Sequence, residues 1–335
     1  HRAWMTPAQI FELSRRAHDA GHCGGFIDVT DDDPAWWSAE PRRETFVDRP
    51  LQQAATVGAM LRGLSSERLA AHVRKLSSFH NRYYKSEDGV AAAQWIHDTW
   101  SAMARGHTDV QVELFNHRFA QPSVIARIPG TGPHRDEKVI LGAHEDSVNM
   151  QFIIPTRRGH APGADDNASG MAVLLETFAA LMAHDFHPDR TVELIAYAGE
   201  ELGLLGSRDI ARSYKRSGQR VAAVLQLDMT MFPGRGRTLT LITDNVSRAL
   251  TTFTERLVDT YVQAPWQESR CGYGCSDHAS WDDAGYPAVF PFESEFRDSN
   301  PAIHTSRDTY DNGLDAAFAV DFAKLAVAFA VELGG

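Results

Sequence analysis

The stretch TVELIAYAGEELG, residues 191–203, contains the strongest structural signal in the chain. Its first eight residues are mostly apolar, a pattern typical of a strand that is buried on both faces of a sheet. Two adjacent glutamates follow, and a helical pattern begins directly after them at Gly203. Earlier in the chain KVILGA, residues 138–143, leads in the same way into the polar run HEDS, residues 144–147.

Both stretches belong to a longer alternation of strands and helices. Strands are predicted at residues 123–127, 138–142, 191–198, 221–229, 238–243 and 288–292. Helices are predicted at residues 69–77, 90–103, 169–183, 203–214, 247–262 and 314–333. This alternation predicts an α/β fold in which a mostly parallel, mixed central sheet is flanked by helices on both faces. Ligands bind at the carboxyl ends of the strands in such sheets, so the residues that follow each strand are the candidates for chemistry.

The overall charge limits the choice of partners. The 335 residues include 44 Asp or Glu and 33 Lys or Arg, which gives a net charge of −11. Nucleic acids and anionic membranes attract basic surfaces, so we expect neither as a partner. The most apolar helical stretch, residues 314–333, is interrupted by Asp315, Asp321 and Lys324, which is typical of a packed helix and not of a membrane span.

The first 49 residues differ in composition from the rest. They contain an acidic run at 31–33, the pair Trp36-Trp37 and several prolines, with one short helix predicted at residues 7–18. We predict two parts: an N-terminal extension, residues 1–49, and a main domain, residues 50–335.

Polar residues that can bind metal or move protons follow the predicted strands. The candidates are His144, Asp146, Asp166, Glu200, Glu201, Asp228 and His304. Taken alone, each has a plainer explanation, such as a loop position for His304 or the dipole of a following helix for the two glutamates. Taken together, two imidazoles and three carboxylates suit two zinc ions that share one carboxylate. Of the two remaining carboxylates, Glu200 is then placed to take a proton from a bound water, and Asp146 is placed to orient the His144 imidazole.

Two of the three cysteines are close in sequence. Cys271 and Cys275 could form a short disulfide, half of a metal site or two free thiols. No second Cys or His pair stands nearby to complete a zinc site, which favours the disulfide and an oxidising compartment. Cys23 is then the odd cysteine.

Several motifs resemble a known family in order along the chain. The motifs are GAHEDS (142–147), PGADD (162–166), AGEELG (198–203), LQLDMT (225–230) and IHT (303–305). They resemble the dizinc leucyl aminopeptidases of secreted bacterial and fungal type, as do SFHNRYYKS (78–86) and CGYGCSDHAS (271–280). The resemblance extends over residues 51–335 and implies a zinc-exopeptidase fold of the phosphorylase/hydrolase-like kind. FIDVT, residues 26–30, is similar to pro-segment sequence in some members. The resemblance thus implies that residues 50–335 are the catalytic domain, and that residues 1–49 are either a pro-segment that covers the site or a structural wrap on the domain.

The resemblance implies a role for each candidate. His144, Asp166 and Asp228 would hold one zinc ion, and Asp166, Glu201 and His304 would hold the other. Glu200 would be the general base, and Asp146 would orient His144. The resemblance also implies a Cys271–Cys275 disulfide beside an apolar substrate pocket. That pocket would be lined by Met229, Ile242, Tyr273, Phe290, Phe292, Phe296 and Ile303.

The implied reaction removes the N-terminal residue, preferably leucine or another apolar one, from peptides with a free amino terminus. The implied cofactors are two Zn²⁺ per chain, and we expect a monomer that is secreted or periplasmic. The alternatives are another zinc hydrolase on this fold, such as a glutaminyl cyclase or a carboxypeptidase, and a binding domain without activity. Glu145 stands where related sequences often have Leu or Gln, and we expect it to point away from His144 with little effect.

Overall fold

An eight-stranded sheet with helices on both faces forms the body of the protein. The computed structural model describes residues 43–151 and 159–335, together with residues 3–6, 9, 12, 13 and 16. The strands are β1 (Gln111–Phe115), β2 (Ser123–Ile128), β3 (Glu137–His144), β4 (Thr191–Tyr197), β5 (Arg220–Gln226), β6 (Leu239–Ile242), β7 (Trp266–Ser269) and β8 (Ala288–Phe292). The helices are α1 (Ala54–Leu61), α2 (Ser66–Ser77), α3 (Glu87–Met103), α4 (Ala168–Ala183), α5 (Leu205–Arg216), α6 (Arg248–Leu257), α7 (His278–Asp283) and α8 (Ala316–Gly334).

The sheet is parallel at its centre and mixed at its edges. Its strand order is β1-β2-β4-β3-β5-β8-β6-β7. Strands β4, β3, β5 and β8 are parallel to one another, whereas β1 and β2 are antiparallel to their neighbours. At the other edge β6 runs antiparallel to β8 and parallel to β7. The predicted α/β class with a mixed, largely parallel sheet is therefore confirmed.

Two apolar layers cover the sheet and account for the continuous apolar runs in β3 and β4. On one face α2, α3, α4 and α8 form the larger core, in which α4 is almost entirely buried. On the other face the smaller core is formed by α5 and α7, with Tyr214 and Trp281 packed edge to face. A strand between two such layers has no solvent face, so its sequence shows no polar alternation.

The six predicted strands are present, and their ends agree with the prediction within two residues except at the end of β5. Strand β5 ends at Gln226 and not at Met229, because the chain leaves the sheet after Leu227 and Met229 adopts a positive φ of 54°. The short edge strands β1 and β7 and the helices α1 and α7 were not predicted. The helix predicted at residues 7–18 falls mostly on residues outside the described part of the chain.

Residues 43–53 pack against the domain on the side of the amino ends of the parallel strands. The backbone N–H of Glu44 donates to the carbonyl of Gly285, just before β8. Phe46 is buried and its ring packs edge to face on Phe253 in α6. Farther along, the N–H groups of residues 52 and 53 donate to the carboxylate of Glu332 in α8.

Among the described residues there is no helix with the length and apolar character that a membrane span requires. The proposed division into residues 1–49 and 50–335 stays a prediction.

Candidate metal centre and active site

The central parallel strands bring the candidate residues to one edge of the sheet. His144 is the last residue of β3, and Asp228 lies two residues beyond the end of β5. The short 3₁₀ helix Glu200–Leu202 follows β4. Asp166 comes just before the N-cap of α4, and His304 lies in the loop that leads to α8. Because β4, β3 and β5 are neighbours, their carboxyl ends meet at this edge.

Five of the predicted residues form two groups that share one member. Asp166 Oδ1 lies 3.0 Å from His144 Nε2, and Asp166 Oδ2 lies 2.7 Å from His304 Nε2. On the first side Asp228 Oδ1 is 3.4 Å from His144 Nε2. On the second side Glu201 Oε2 is 2.9 Å from His304 Nε2. In each group of three, the potential ligand atoms lie within 4.8 Å of one another.

The environment of these atoms fits a cation. His144 Nε2, Glu201 Oε1 and Asp228 Oδ1 are buried and make no hydrogen bond to any described residue. Burial, together with the neighbouring carboxylate of Asp166, raises the pKa of Glu201 to about 8, although His304 opposes the shift. Buried polar atoms without partners and crowded carboxylates are both costly, and a divalent ion relieves both costs. Imidazole nitrogen and carboxylate oxygen are donors that zinc accepts.

Asp146 connects a candidate ligand with the turn that contains the two glutamates. Its Oδ1 lies 3.4 Å from His144 Nδ1 and accepts a hydrogen bond of 2.9 Å from the backbone N–H of Glu200. Its Oδ2 accepts from the backbone N–H of Glu201 at 3.3 Å. One carboxylate therefore lies beside an imidazole and holds the turn through two backbone N–H groups.

Glu200 is buried beside the two groups and belongs to neither of them. Burial raises the pKa of its carboxyl group well above the usual value. His144 opposes this shift, whereas Asp277 and Asp228 add to it. A carboxyl group with a raised pKa beside a metal site is the type of group that works as a general base near neutral pH.

The structure adds contacts that the sequence analysis did not assign. Asp228 Oδ2 accepts a hydrogen bond of 2.6 Å from Ser276 Oγ, and Ser276 Oγ accepts one of 3.0 Å from Gln226 Nε2. Asn167 Oδ1 accepts from the backbone N–H of Met229, which joins the start of α4 to the segment after β5. The peptide bond between Asp166 and Asn167 is cis. In the sequence, only the position of Ser276 in the motif 271–280, directly after Cys275, could have suggested that it lies near the site.

The seven predicted pocket residues lie in one apolar cluster. Met229, Ile242, Phe290 and Phe292 are buried in it together with both cysteines, and Tyr273, Phe296 and Ile303 pack against it. Cys271 and Cys275 are joined by a disulfide, as predicted. Met229 directly follows Asp228 and Ile303 directly precedes His304, so the cluster adjoins the metal groups. Cys23 lies outside the described residues.

The loop closed by this disulfide is held in place by hydrogen bonds to Asp244. Asp244 Oδ2 accepts hydrogen bonds from the backbone N–H groups of Cys271 and Gly272. His278 Nε2 lies 3.1 Å from the carbonyl oxygen of Asp244, and the His278 ring stacks on Phe290. Asp244 and His278 thereby connect the disulfide loop with Phe290 in the apolar cluster.

An α/β sheet whose parallel strands end in two adjoining groups of metal ligands is the construction of a metal-dependent hydrolase. The family model described as peptidase family M28 matches residues 123–330, and the chain belongs to this family.

Relatives and solved structures agree with this assignment. The chain is 40% identical over 335 residues to a probable leucine aminopeptidase of Arthroderma otae, with 98% of this chain and 89% of the relative covered. The crystal structure of LapB from Legionella pneumophila superposes with a TM-score of 0.85 at 30% identity, covering 97% of this chain and 89% of LapB. The LapA aminopeptidase of the same organism also gives 0.85 and 30%, covering 98% of this chain and 89% of LapA.

These comparisons confirm the predicted family, the fold class and the enzyme class, a metallo-aminopeptidase. The individual roles of the site residues and the number of metal ions stay predictions.

Proposed function

We propose that this protein is a zinc-dependent leucyl aminopeptidase that removes apolar residues from the free amino terminus of peptides. The observation that carries the proposal is the pair of ligand groups that share Asp166, with Glu200 beside them and the apolar cluster adjoining them. The relatives at about 40% identity that are named leucine aminopeptidases support the same substrate preference.

The two ligand groups would hold two zinc ions per chain. His144, Asp166 and Asp228 would bind one ion, and Asp166, Glu201 and His304 would bind the other, with Asp166 as the bridge. Zinc in such a site lowers the pKa of bound water and polarises a carbonyl group.

Glu200 would transfer a proton during the reaction. Its carboxylate takes a proton from the attacking water and returns it to the nitrogen of the leaving amine, so that no net proton is consumed within the site. Asp146 keeps this residue in place through the backbone N–H of Glu200 and at the same time orients His144. We therefore assign Glu200 as the general base and Asp146 as the residue that positions both the base and a ligand.

The apolar cluster would bind the first side chain of the substrate. Its aromatic and aliphatic side chains favour leucine and aromatic residues over charged ones. Differences of one methylene group are worth only about 1–3 kcal/mol, so the preference is broad. The free α-amino group would be held by the carboxylates around the metal ions, and a blocked amino terminus would lose this contact.

The proposal also concerns where the enzyme acts and what its N-terminal extension does. The disulfide favours an oxidising compartment, and we propose that the protein acts outside the cytoplasm as a monomer. We also propose that the N-terminal extension covers the site until it is removed. Because residues 43–49 pack on the domain, a cut on the amino side of Arg43 would leave these contacts intact. Equal turnover by the intact chain and the trimmed chain would refute the covering role.

Hydrolysis of leucine p-nitroanilide and of N-acetyl-leucine p-nitroanilide tests the proposed function. Each substrate is assayed with the untreated protein, after chelation and after zinc is restored, on the full chain and on a chain trimmed before Arg43. We expect zinc-restorable hydrolysis of the free amine only. Hydrolysis of the blocked substrate, or cyclisation of an N-terminal glutaminyl peptide without hydrolysis, would point to another enzyme on this fold. Zinc binding by the trimmed chain without any turnover would point to a binding domain.

A further inference from the structure

Arg82 is a fully buried arginine between the two loops that contain candidate ligands. It lies in the motif SFHNRYYKS, before α3, and its side chain has no contact with solvent. One of these loops is residues 144–147, which contains His144 and Asp146, and the other is residues 161–166, which ends with Asp166. None of the roles proposed above involves Arg82.

The guanidinium group of Arg82 donates hydrogen bonds to backbone carbonyls in both loops. Its Nε donates to Glu145 O at 2.9 Å, in the first loop. Its Nη1 and Nη2 donate to Pro162 O and Gly163 O in the second loop, the latter at 2.8 Å. A further bond joins Nη1 to Leu76 O in α2 at 3.1 Å. One side chain therefore links both ligand loops to each other and to the helical layer.

The backbone of Arg82 reinforces the same link. Its N–H donates to Ser147 Oγ at 3.2 Å, and Ser147 Oγ donates to Ala161 O at 2.8 Å. A Cβ at Gly163 would lie 2.5 Å from Asp166 O, 2.6 Å from Ser147 Cβ and 2.8 Å from Arg82 Nη2, so a side chain here would clash with both loops and with the guanidinium group.

The positive charge of Arg82 has carboxylates on several sides. Burial lowers the pKa of Arg82 to about 10, and the nearby carboxylates of Asp308, Asp146 and Asp166 oppose this shift, so the group is charged at neutral pH. Asp308, which follows His304 by four residues, accepts hydrogen bonds from the backbone N–H groups of Asp165 and Asp166. A cation here offsets part of the repulsion among the site carboxylates before any metal is bound.

We propose that Arg82 is a positioning residue, which holds the His144 loop and the Asp166 loop at the separation that metal binding requires. The inference rests on the proposed function, because it concerns the same two ligand groups. Arginine is required in this role because its planar group presents several N–H donors at fixed angles, whereas a lysine ammonium is a single point on a flexible stem. A positive charge without these fixed donors would not hold the two loops together.

Zinc affinity of the metal-free enzyme tests the proposal, measured by competition with a chromophoric chelator. Loss of a residue that supports metal ligands typically weakens binding by about 10–100-fold. We expect Arg82→Lys, which keeps the charge, to lose affinity within this range. With zinc at saturation we expect a lower kcat and a KM close to that of the parent, because Arg82 does not line the apolar cluster.

Arg68→Lys is the matched control. Arg68 donates to the buried carboxylate of Glu176 and to the carbonyl of Gly63, and neither partner belongs to a ligand loop. We expect this variant to lose stability and to keep the zinc affinity of the parent. If Arg82→Lys does not fold, Arg82→Gln replaces it, since a single amide group cannot donate to the carbonyls of both loops. We expect a loss of affinity in the same range.

The outcomes separate this inference from the proposed function. Zinc binding by folded Arg82→Lys within twofold of the parent would overturn the role of Arg82, as would an equal loss in Arg68→Lys. If Arg82→Gln is the variant used, parental affinity in it would overturn the role as well. A parent that binds zinc without hydrolysing peptides would overturn the proposed function, and the affinities would still decide on Arg82. A parent that binds no zinc would overturn both.

Discussion

His278 makes the stability of this protein depend on pH in a way that can be calculated. It is the first residue of α7, and its ring is fully buried against Phe290 with the centroids 4.8 Å apart. Nε2 lies 3.1 Å from the carbonyl oxygen of Asp244, and Nδ1 has no hydrogen-bond partner among the described residues. Protonation would place a charge in this apolar site, so burial lowers the pKa of His278 to about 4.

The sign follows from the proton balance. An unfolded histidine binds a proton below about pH 6.5, whereas folded His278 binds one only near pH 4. Between these values the unfolded state holds more protons, so the free energy of unfolding falls as the pH is lowered from about 6.5 to about 4. At about 1.36 kcal/mol per pKa unit, this difference amounts to about 3 kcal/mol.

Urea unfolding of the metal-free chain at a series of pH values measures this effect. In His278→Gln an amide N–H can still donate to Asp244 and nothing titrates. Relative to the variant, we expect the parent to lose about 3 kcal/mol of unfolding free energy when the pH is lowered from 7 to 4. Other titrating groups are common to both chains and cancel. His134→Gln, at a half-exposed position, is the control and should show no such trend. Parallel stability curves for parent and His278→Gln would refute the reasoning.

Three further predictions concern packing and specificity. Glu145 is fully buried, and neither of its carboxylate oxygens has a hydrogen-bond partner among the described residues; we expect Glu145→Leu to raise the Tm of the chelated protein by a few degrees, and a lower Tm would contradict this. Phe46→Ala should lower the urea-unfolding free energy by about 3 kcal/mol at unchanged activity per folded molecule, whereas parental stability would show that residues 43–53 contribute little. Phe292→Ala should reduce the ratio of kcat/KM for leucine to that for alanine p-nitroanilide by about tenfold, and an unchanged ratio would remove Phe292 from the pocket.

The part of the fold that could be predicted from sequence is the part with the simplest environment. Strands β3 and β4 are largely buried on both faces, so their sequences are mostly apolar. The edge strands β1 and β7 were missed because their residues are largely half-buried or exposed and include several polar side chains. The end of β5 was misplaced because the apolar run continues past Gln226, although the backbone leaves the sheet there.

Some residues of the candidate site could likewise be predicted from sequence, and others could not. His144, Asp166 and Asp228 stand next to strand or helix ends, so their positions along the chain already suggested that they meet. Arg82 and Ser276 could not be found in this way. Arg82 acts on backbone carbonyls, which any sequence provides, and Ser276 reaches Asp228 across 48 residues. Contacts of this kind depend on the tertiary fold and leave no local pattern.

The different roles assigned to two adjacent glutamates can be tested by comparing Glu200→Gln with Glu201→Gln. Zinc content is measured by elemental analysis of the folded protein, and turnover is measured with leucine p-nitroanilide. We predict that Glu200→Gln keeps two zinc ions per chain and loses about 10²–10⁴-fold in kcat, because it removes a proton acceptor and no ligand. Glu201→Gln should bind less zinc. Turnover by Glu200→Gln within tenfold of the parent, or zinc loss in this variant equal to that in Glu201→Gln, would contradict the account.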